Sequence, residues 1–301
     1  MTIRLRCLFS SLILGLLAGA APGAATTSAA QAPPRPLIVF MSDFGQLDDA
    51  VAICKGVMKT VSPGTEIIDL SHDVTPFSIA EGARLLVRTS QYYPRGTVFV
   101  TVIDPGVGTA RKAIVLKTKR SQYFVLPDNG LVTRVADRDG IEGVREISNA
   151  KWLLPGSSSS TFHGRDIFSP VAAHLAAGWS WSDVGRPLPG ITRLEAPQAT
   201  IDASGIHGQV VALDGPYGNL VTNIDSEDFR RLGFRYGDAI RVRIGEAAFA
   251  VPYAATFGAV ATGESFLFID SRGLVSLAIN QGSFAKAHGI TPPATFNIAR
   301  P

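Results

Sequence analysis

Pro36-Leu37-Ile38-Val39-Phe40-Met41 is an unbroken apolar run that stops abruptly at Ser42-Asp43-Phe44-Gly45. A run without polar alternation cannot lie with one face in water, so it reads as a strand buried on both sides. The chain beyond Gly45 keeps to this plan. A helix-like stretch over 49–61 leads to a strand at 66–70, a helix over 80–89 and a third apolar strand at 97–103. Strands alternating with helices predict parallel βαβ units. Further strands are expected at 113–117 and 122–126, and helices at 131–136 and 170–177.

The pattern changes near Gly185, in a passage rich in proline (Pro187, Pro189, Pro197). Beyond it the apolar segments are short and alternating, at 206–213, 239–244, 249–252 and 265–269, with glycine turns between them. That is the language of a β-barrel or sandwich. The expected fold class is α/β: an N-terminal α/β domain with a mostly parallel sheet over 34–190, a linker at 191–202, and a β-barrel domain over 203–301.

The N-terminus reads differently. Arg4 and Arg6 precede an apolar stretch from Cys7 to Ala20 and then a zone of small residues. This is the layout of a signal peptide over 1–32, cut between Ala24 and Pro33, and it predicts an exported protein, periplasmic or secreted. An uncleaved N-terminal anchor is the alternative. The stretch is short for a membrane span, so no stable membrane insertion is expected. Arg4 and Arg6 account for two of the net +3 charges of the chain, so the remainder is close to neutral and carries no basic run. Nucleic acid and acidic membrane surfaces are therefore poor partners. Outside the leader Cys54 is the single cysteine, in the apolar run Ala50–Cys54, where a buried inert thiol is expected. The five histidines show no H-x-x-x-H pair, and no metal site is expected.

Five polar blocks interrupt the apolar pattern. Ser42–Asp49 ends the first strand, where open parallel sheets bind ligands. Its carboxylates suit ribose hydroxyls, an ammonium group or a cation, and Asp48 equally suits a helix cap. Asp104–Arg111 ends the third strand; it lacks a P-loop's Gly-Lys-Ser/Thr, and Asp104 and Arg111 could form a plain loop salt bridge. Ser160–Asp166 holds His163, able to handle protons near neutrality but also able to be structural, with Gly164 leaving room for a ligand. Leu213–Asn223 and Ile269–Gly282 mix turn residues with polar groups and read from spacing alone as hairpin turns.

Together, in order and spacing from Ile38 to Phe284, the five blocks resemble the S-adenosyl-L-methionine hydroxide adenosyltransferases, adenosine-forming hydrolases related to the fluorinases and chlorinases. The resemblance implies an N-terminal α/β domain, a C-terminal β-barrel and a homotrimer with active sites between subunits. Carried over by position, it implies that Asp43 binds the ribose and that Asp48 lies near the methionine moiety. Phe77 stands where the halogenases pack a Trp on the substrate. It further implies that Asp214 holds the substrate amino group, that Asn219 reads adenine with Tyr217 beside it, and that Ser271 and Arg272 sit at the methionine carboxylate. Halogenating members resemble Tyr-Pro-x-Thr at the second block and Tyr-Ser at the third. This chain has Asp104-Pro105-Gly106-Val107, with Arg111 seven positions after Asp104, and Phe162-His163-Gly164. Asp104, Arg111 and His163 match the hydrolytic members' water-activating set. The resemblance implies hydrolysis of S-adenosyl-L-methionine to adenosine and L-methionine, with no metal or organic cofactor. A halogenase of the same fold, and an exported nucleoside- or methionine-binding protein without catalysis, are the alternatives.

Overall fold

A computed structural model describes residues 37–156, 159–195 and 197–301. The expected leader lies outside the described residues. Among them, no helix is long and apolar enough to cross a membrane.

The N-terminal part runs β1 (Leu37–Ser42), α1 (Ala50–Val61), β2 (Glu66–Ser71), α2 (Ile79–Ser90), β3 (Val98–Val102), β4 (Ala113–Thr118), β5 (Tyr123–Pro127), α3 (Thr133–Asp139), β6 (Ile141–Glu146), α4 (Ser169–Ala176) and β7 (Pro187–Leu188). Its strands form a seven-stranded sheet in the order β2-β1-β3-β5-β4-β6-β7. β2, β1, β3 and β5 are parallel; β4, β6 and β7 add antiparallel pairings. The unbroken apolar run is explained by helices on both faces. Ile38 and Phe40 of β1 belong to one core with Cys54 and Met58 of α1 and Val171 of α4. Val39 and Met41 point the other way, into a core with Leu86 of α2 and Val135 of α3. Cys54 is fully buried, and burial pushes its thiol up to about 11, as expected of an inert cysteine.

The C-terminal part runs β8 (Thr200–Ile201), β9 (Gly205–Asp214), β10 (Asn219–Asp225), α5 (Ser226–Arg230), β11 (Ala239–Ile244), β12 (Ala247–Pro252), β13 (Ser265–Ile269), β14 (Leu274–Ile279), α6 (Phe284–His288) and β15 (Ala294–Ala299). The strands make one eight-stranded sheet along the path β12-β11-β15-β9-β10-β14-β13, with β8 on β9. The named pairings are antiparallel. Its two end strands meet through Tyr253 and Leu267, with Ala254 N–H donating to Leu267 O at 2.9 Å, so the sheet nearly closes into a barrel. Ile206, Val210, Leu220, Val242, Leu277 and Phe296 fill it.

The proline-rich passage is tied down at several points. Thr192 N–H donates to Asp128 Oδ1 (2.8 Å), Leu194 N–H to Thr133 Oγ1 (2.9 Å), and Asn223 Nδ2 to the Pro197 carbonyl (2.8 Å).

Candidate active site

Parallel pairing decides where the first two polar blocks meet. β1 and β3 run side by side with Ser42 opposite Val102, so the residues after them emerge from the same sheet edge. Asp43 is one position past that pair and Asp104 two. Asp43 N–H donates to Val102 O at 3.4 Å, and Asn129 Nδ2 holds the Ile103 carbonyl at 2.9 Å just ahead of Asp104. The turn after Asp104 needs Gly108 at φ 78°. A Cβ there would lie 2.8 Å from the Ser160 carbonyl oxygen, so this glycine lets the second and third blocks touch.

Arg111, at the far end of that turn, reaches back. Its Nε lies 2.9 and 3.0 Å from Asp104 Oδ1 and Oδ2, and Nη2 also donates to Oδ2. The same Nη2 is 2.7 Å from His163 Nδ1, and the guanidinium lies 5.3 Å from the centre of the Phe168 ring. An arginine only donates, so Nδ1 accepts and the neutral ring carries its hydrogen on Nε2. Burial first, then the Arg111 charge, holds His163 below its ordinary value of 6.5, which favours that neutral form. His163 stands at the head of a π-helical turn, Gly164–Phe168.

Asp43, Phe77, Asp104 and His163 line one cavity of about 240 Å³, together with Phe44, Val107, Thr161 and Phe162. Phe77 sits at φ 66° and is 70% exposed, and its N–H donates to Asp43 Oδ2 at 2.8 Å. A bulky residue in the left-handed region is strained by about 1–2 kcal/mol, and such strain gathers at ligand sites. Gly164 lines the same cavity, and it also lets the Phe44 ring pack close, since a Cβ there would meet that ring at 3.0 Å. Asp48 is exposed at the head of α1, where Oδ1 accepts from Ala50 N–H at 3.0 Å. It sits one residue before the N-cap, Asp49, and is not among the residues lining this cavity.

The other expected residues gather elsewhere. Asp214, Tyr217 and Asn219 line a cavity of about 610 Å³ with Phe257, Ile279, Asn280, Gln281 and Ser283. Asn219 is 4% exposed, yet its Oδ1 has no hydrogen-bond partner among the described residues. A buried orphan acceptor costs about 1–3 kcal/mol, and this one lies on the cavity wall, where a ligand donor can reach it. Ser271 and Arg272 line a third hollow beside Arg88 and Tyr92 of the α2 end. Arg272 links it to the second, 3.2 Å from Asp214 Oδ1. Asp270 steers Arg272 by accepting from its backbone N–H at 2.8 Å and from its guanidinium, and takes the Ser276 hydroxyl at 3.0 Å. Asp270 and Gln281 lie in the fifth polar block without being picked out as site residues, and Ser283 lies just beyond it. Only the positive φ of Gln281, 58°, marks that turn, and no sequence pattern announces it.

Comparison with known proteins shows the family. Residues 38–185 match the model of the SAM hydroxide adenosyltransferase N-terminal domain, and residues 208–296 that of the C-terminal domain. The chain is 38% identical over 266 residues to a Salinispora tropica protein named (R)-S-adenosyl-L-methionine hydrolase, covering 86% of this chain and 96% of that one. It is 34% identical over 292 residues to an Actinoplanes protein named fluorinase, covering 88% and 98%. A solved structure of an uncharacterized conserved protein from Thermotoga maritima superposes with a TM-score of 0.83 at 40% identity, covering 87% of this chain and all of that one. The chain belongs to the SAM hydroxide adenosyltransferase family.

Proposed function

We propose that the protein hydrolyses S-adenosyl-L-methionine to adenosine and L-methionine by attack of water on C5′. The observation that carries this reading is the hydrogen-bonded Asp104–Arg111–His163 set, whose Asp104 and His163 line the cavity that Asp43 shares. The sulfonium leaves as a neutral thioether, so no acid is needed to expel methionine. The task is to hold a water in line with the C5′–S bond and take its proton, worth roughly 10²–10⁴-fold for the base and more for alignment. Arg111 occupies His163 Nδ1, so the ring's Nε2–H serves as a donor to the water oxygen. Asp104, whose carboxylate has lone pairs beyond those given to Arg111, takes the proton. The new C5′–O bond forms as the C5′–S pair moves to sulfur. Attack of a hydroxide-like oxygen on a sulfonium compound disperses charge, which a water-poor pocket favours.

The fluorinase relatives supply a second reading, halide attack on the same carbon. Val107 lines the cavity without a hydroxyl for a halide, and the Asp104 carboxylate repels one. Purified protein incubated with S-adenosyl-L-methionine, a chelator and either chloride or fluoride decides between them. Adenosine as the product in every arm is expected; a 5′-halo-nucleoside as the main product replaces hydrolysis with halogenation, and tight binding without turnover leaves a binding protein.

In this reading the substrate lies between subunits of a trimer. Two halves of a site on one chain, one with Asp43 and Asp104 and the other with Asp214 and Asn219, support it. So do the apolar side chains near them that face solvent in the single chain: Leu47, Phe77 and Tyr217, the last 69% exposed. The leader-like opening of the sequence supports an exported enzyme.

A further inference from the structure

Behind the Asp43 loop runs a chain of polar side chains that the reaction itself does not use. β2 lies beside β1 with Ser71 opposite Met41, which brings the next residue, His72, alongside Ser42. The His72 ring is 3% exposed and stands edge-on to Phe40 at 4.7 Å. Its Nδ1 is 2.7 Å from Ser42 Oγ and its Nε2 3.1 Å from Asp69 Oδ1. Asp69 Oδ2 accepts in turn from Lys55 Nζ of α1 at 2.5 Å.

The chemistry gives this chain a direction. The Asp69 carboxylate beside Nε2 favours a hydrogen on that nitrogen, although the pair lacks hydrogen-bond geometry, and with the hydrogen there Nδ1 accepts from the Ser42 hydroxyl. That leaves a Ser42 Oγ lone pair facing the Phe44 N–H at 3.4 Å. From the other side, the His72 carbonyl takes the Gly45 N–H at 2.7 Å. One residue therefore grips both ends of Ser42–Gly45, and Asp43 lies between the grips. Burial opposes ionisation of Asp69, but Lys55 and His72 beside it outweigh that and hold its carboxyl below the usual range, keeping the acceptor charged. The Ser–His–Asp order is not a nucleophilic triad, because Ser42 is fully buried.

We propose that His72 is a positioning residue for the vicinal diol of the bound nucleoside: through Ser42 and Gly45 it sets the Asp43 carboxylate where the ribose hydroxyls arrive. This rests on the reading of Asp43 as the ribose ligand.

Two substitutions separate the ring's two contacts. His72→Asn puts a carbonyl oxygen where Nδ1 stands and keeps the acceptor for Ser42. His72→Gln extends toward Asp69 and offers nothing to Ser42. Steady-state kinetics of adenosine release from S-adenosyl-L-methionine, and amide hydrogen exchange at Phe44 and Gly45, are measured on both variants of the full chain. The expected result is a KM raised about tenfold in His72→Gln with kcat within about threefold of the parent, and faster exchange at Phe44. His72→Asn should restore KM to within about threefold. Ser42→Ala removes the same contact from the other partner, should show the same KM rise, and serves if His72→Gln does not fold. Equal behaviour of the two His72 variants, or a loss in kcat with KM unchanged, overturns the proposal. If the parent itself releases no adenosine, the hydrolase reading fails separately. Phe44 exchange then decides alone: faster in His72→Gln but not His72→Asn supports the positioning role, and equal exchange overturns it.

Discussion

His163 is where the sign of a single proton matters most. The ring must be neutral for Nδ1 to accept from Arg111, and burial together with the Arg111 charge favours that state. As pH falls through the lowered value, a proton at Nδ1 turns an attraction to Arg111 into a repulsion, and the water-holding set comes apart. The pH profile of kcat/KM for adenosine release should therefore be flat near neutrality and fall on an acid limb whose midpoint lies below the ordinary histidine value of 6.5. A midpoint at or above that value contradicts the arrangement. Asn219 illustrates another residue-scale fact: an acceptor left unpaired in a buried position is a cost the folded chain carries until a ligand supplies a donor.

Among the elements, the β9–β10 hairpin shows how backbone geometry builds half of a site. Its turn, Gly215–Tyr217, ends at Gly218 in the left-handed conformation, φ 67°, and a Cβ there would overlap Ser283 Oγ. The glycine thus lets β10 start beside the turn that precedes α6, and Ala285 N–H bonds its carbonyl at 3.0 Å. Gly218→Ala should cost about 1–3 kcal/mol, from left-handed strain plus the displaced Ser283, and should weaken adenosine binding in step. Thermal denaturation and titration with adenosine check this; an unchanged melting temperature would mean the turn relaxes without strain. On the other sheet, the same economy appears in β1 and β3, whose backbone pairing brings Asp43 and Asp104 to one edge.

At the scale of the whole molecule, the question is whether one chain makes one site. In the proposed trimer each site takes Asp104 from one subunit and Asp214 from its neighbour. Asp104→Ala chains and Asp214→Ala chains are then each deficient alone, the first in turnover and the second in KM. Co-expressed in equal amounts, assembled at random and assayed at substrate well below the parent's KM, they should recover about a quarter of the parent's activity, because one site in four draws both halves intact. No recovery in a mixed assembly would place the complete site within one chain. Sedimentation of the parent should show a trimer.

Much of this was legible in the residues. The apolar runs at Ile38–Met41 and Val98–Ile103 announced buried strands because a continuous apolar segment has nowhere to go but between two layers, and both proved to have helices on each face. The change to short alternating segments after Gly185 announced a second, antiparallel sheet for the complementary reason. Asp43 and Asp104 stood out because polar blocks that interrupt such runs sit at strand ends, and His163 stood out as a proton-handling side chain in a polar block of its own. The sequence could not say that β4 and β6 turn antiparallel, because an apolar strand reads the same in either direction. Nor could it foresee that the Phe44 ring packs against Gly164 or that Asp270 steers Arg272. These depend on which side chains arrive from distant positions, and local spacing carries no record of that. Whether Asp104 and Arg111 formed a plain loop salt bridge or part of a larger set was likewise undecided until the fold brought His163, fifty-two residues further on, to Arg111 Nη2.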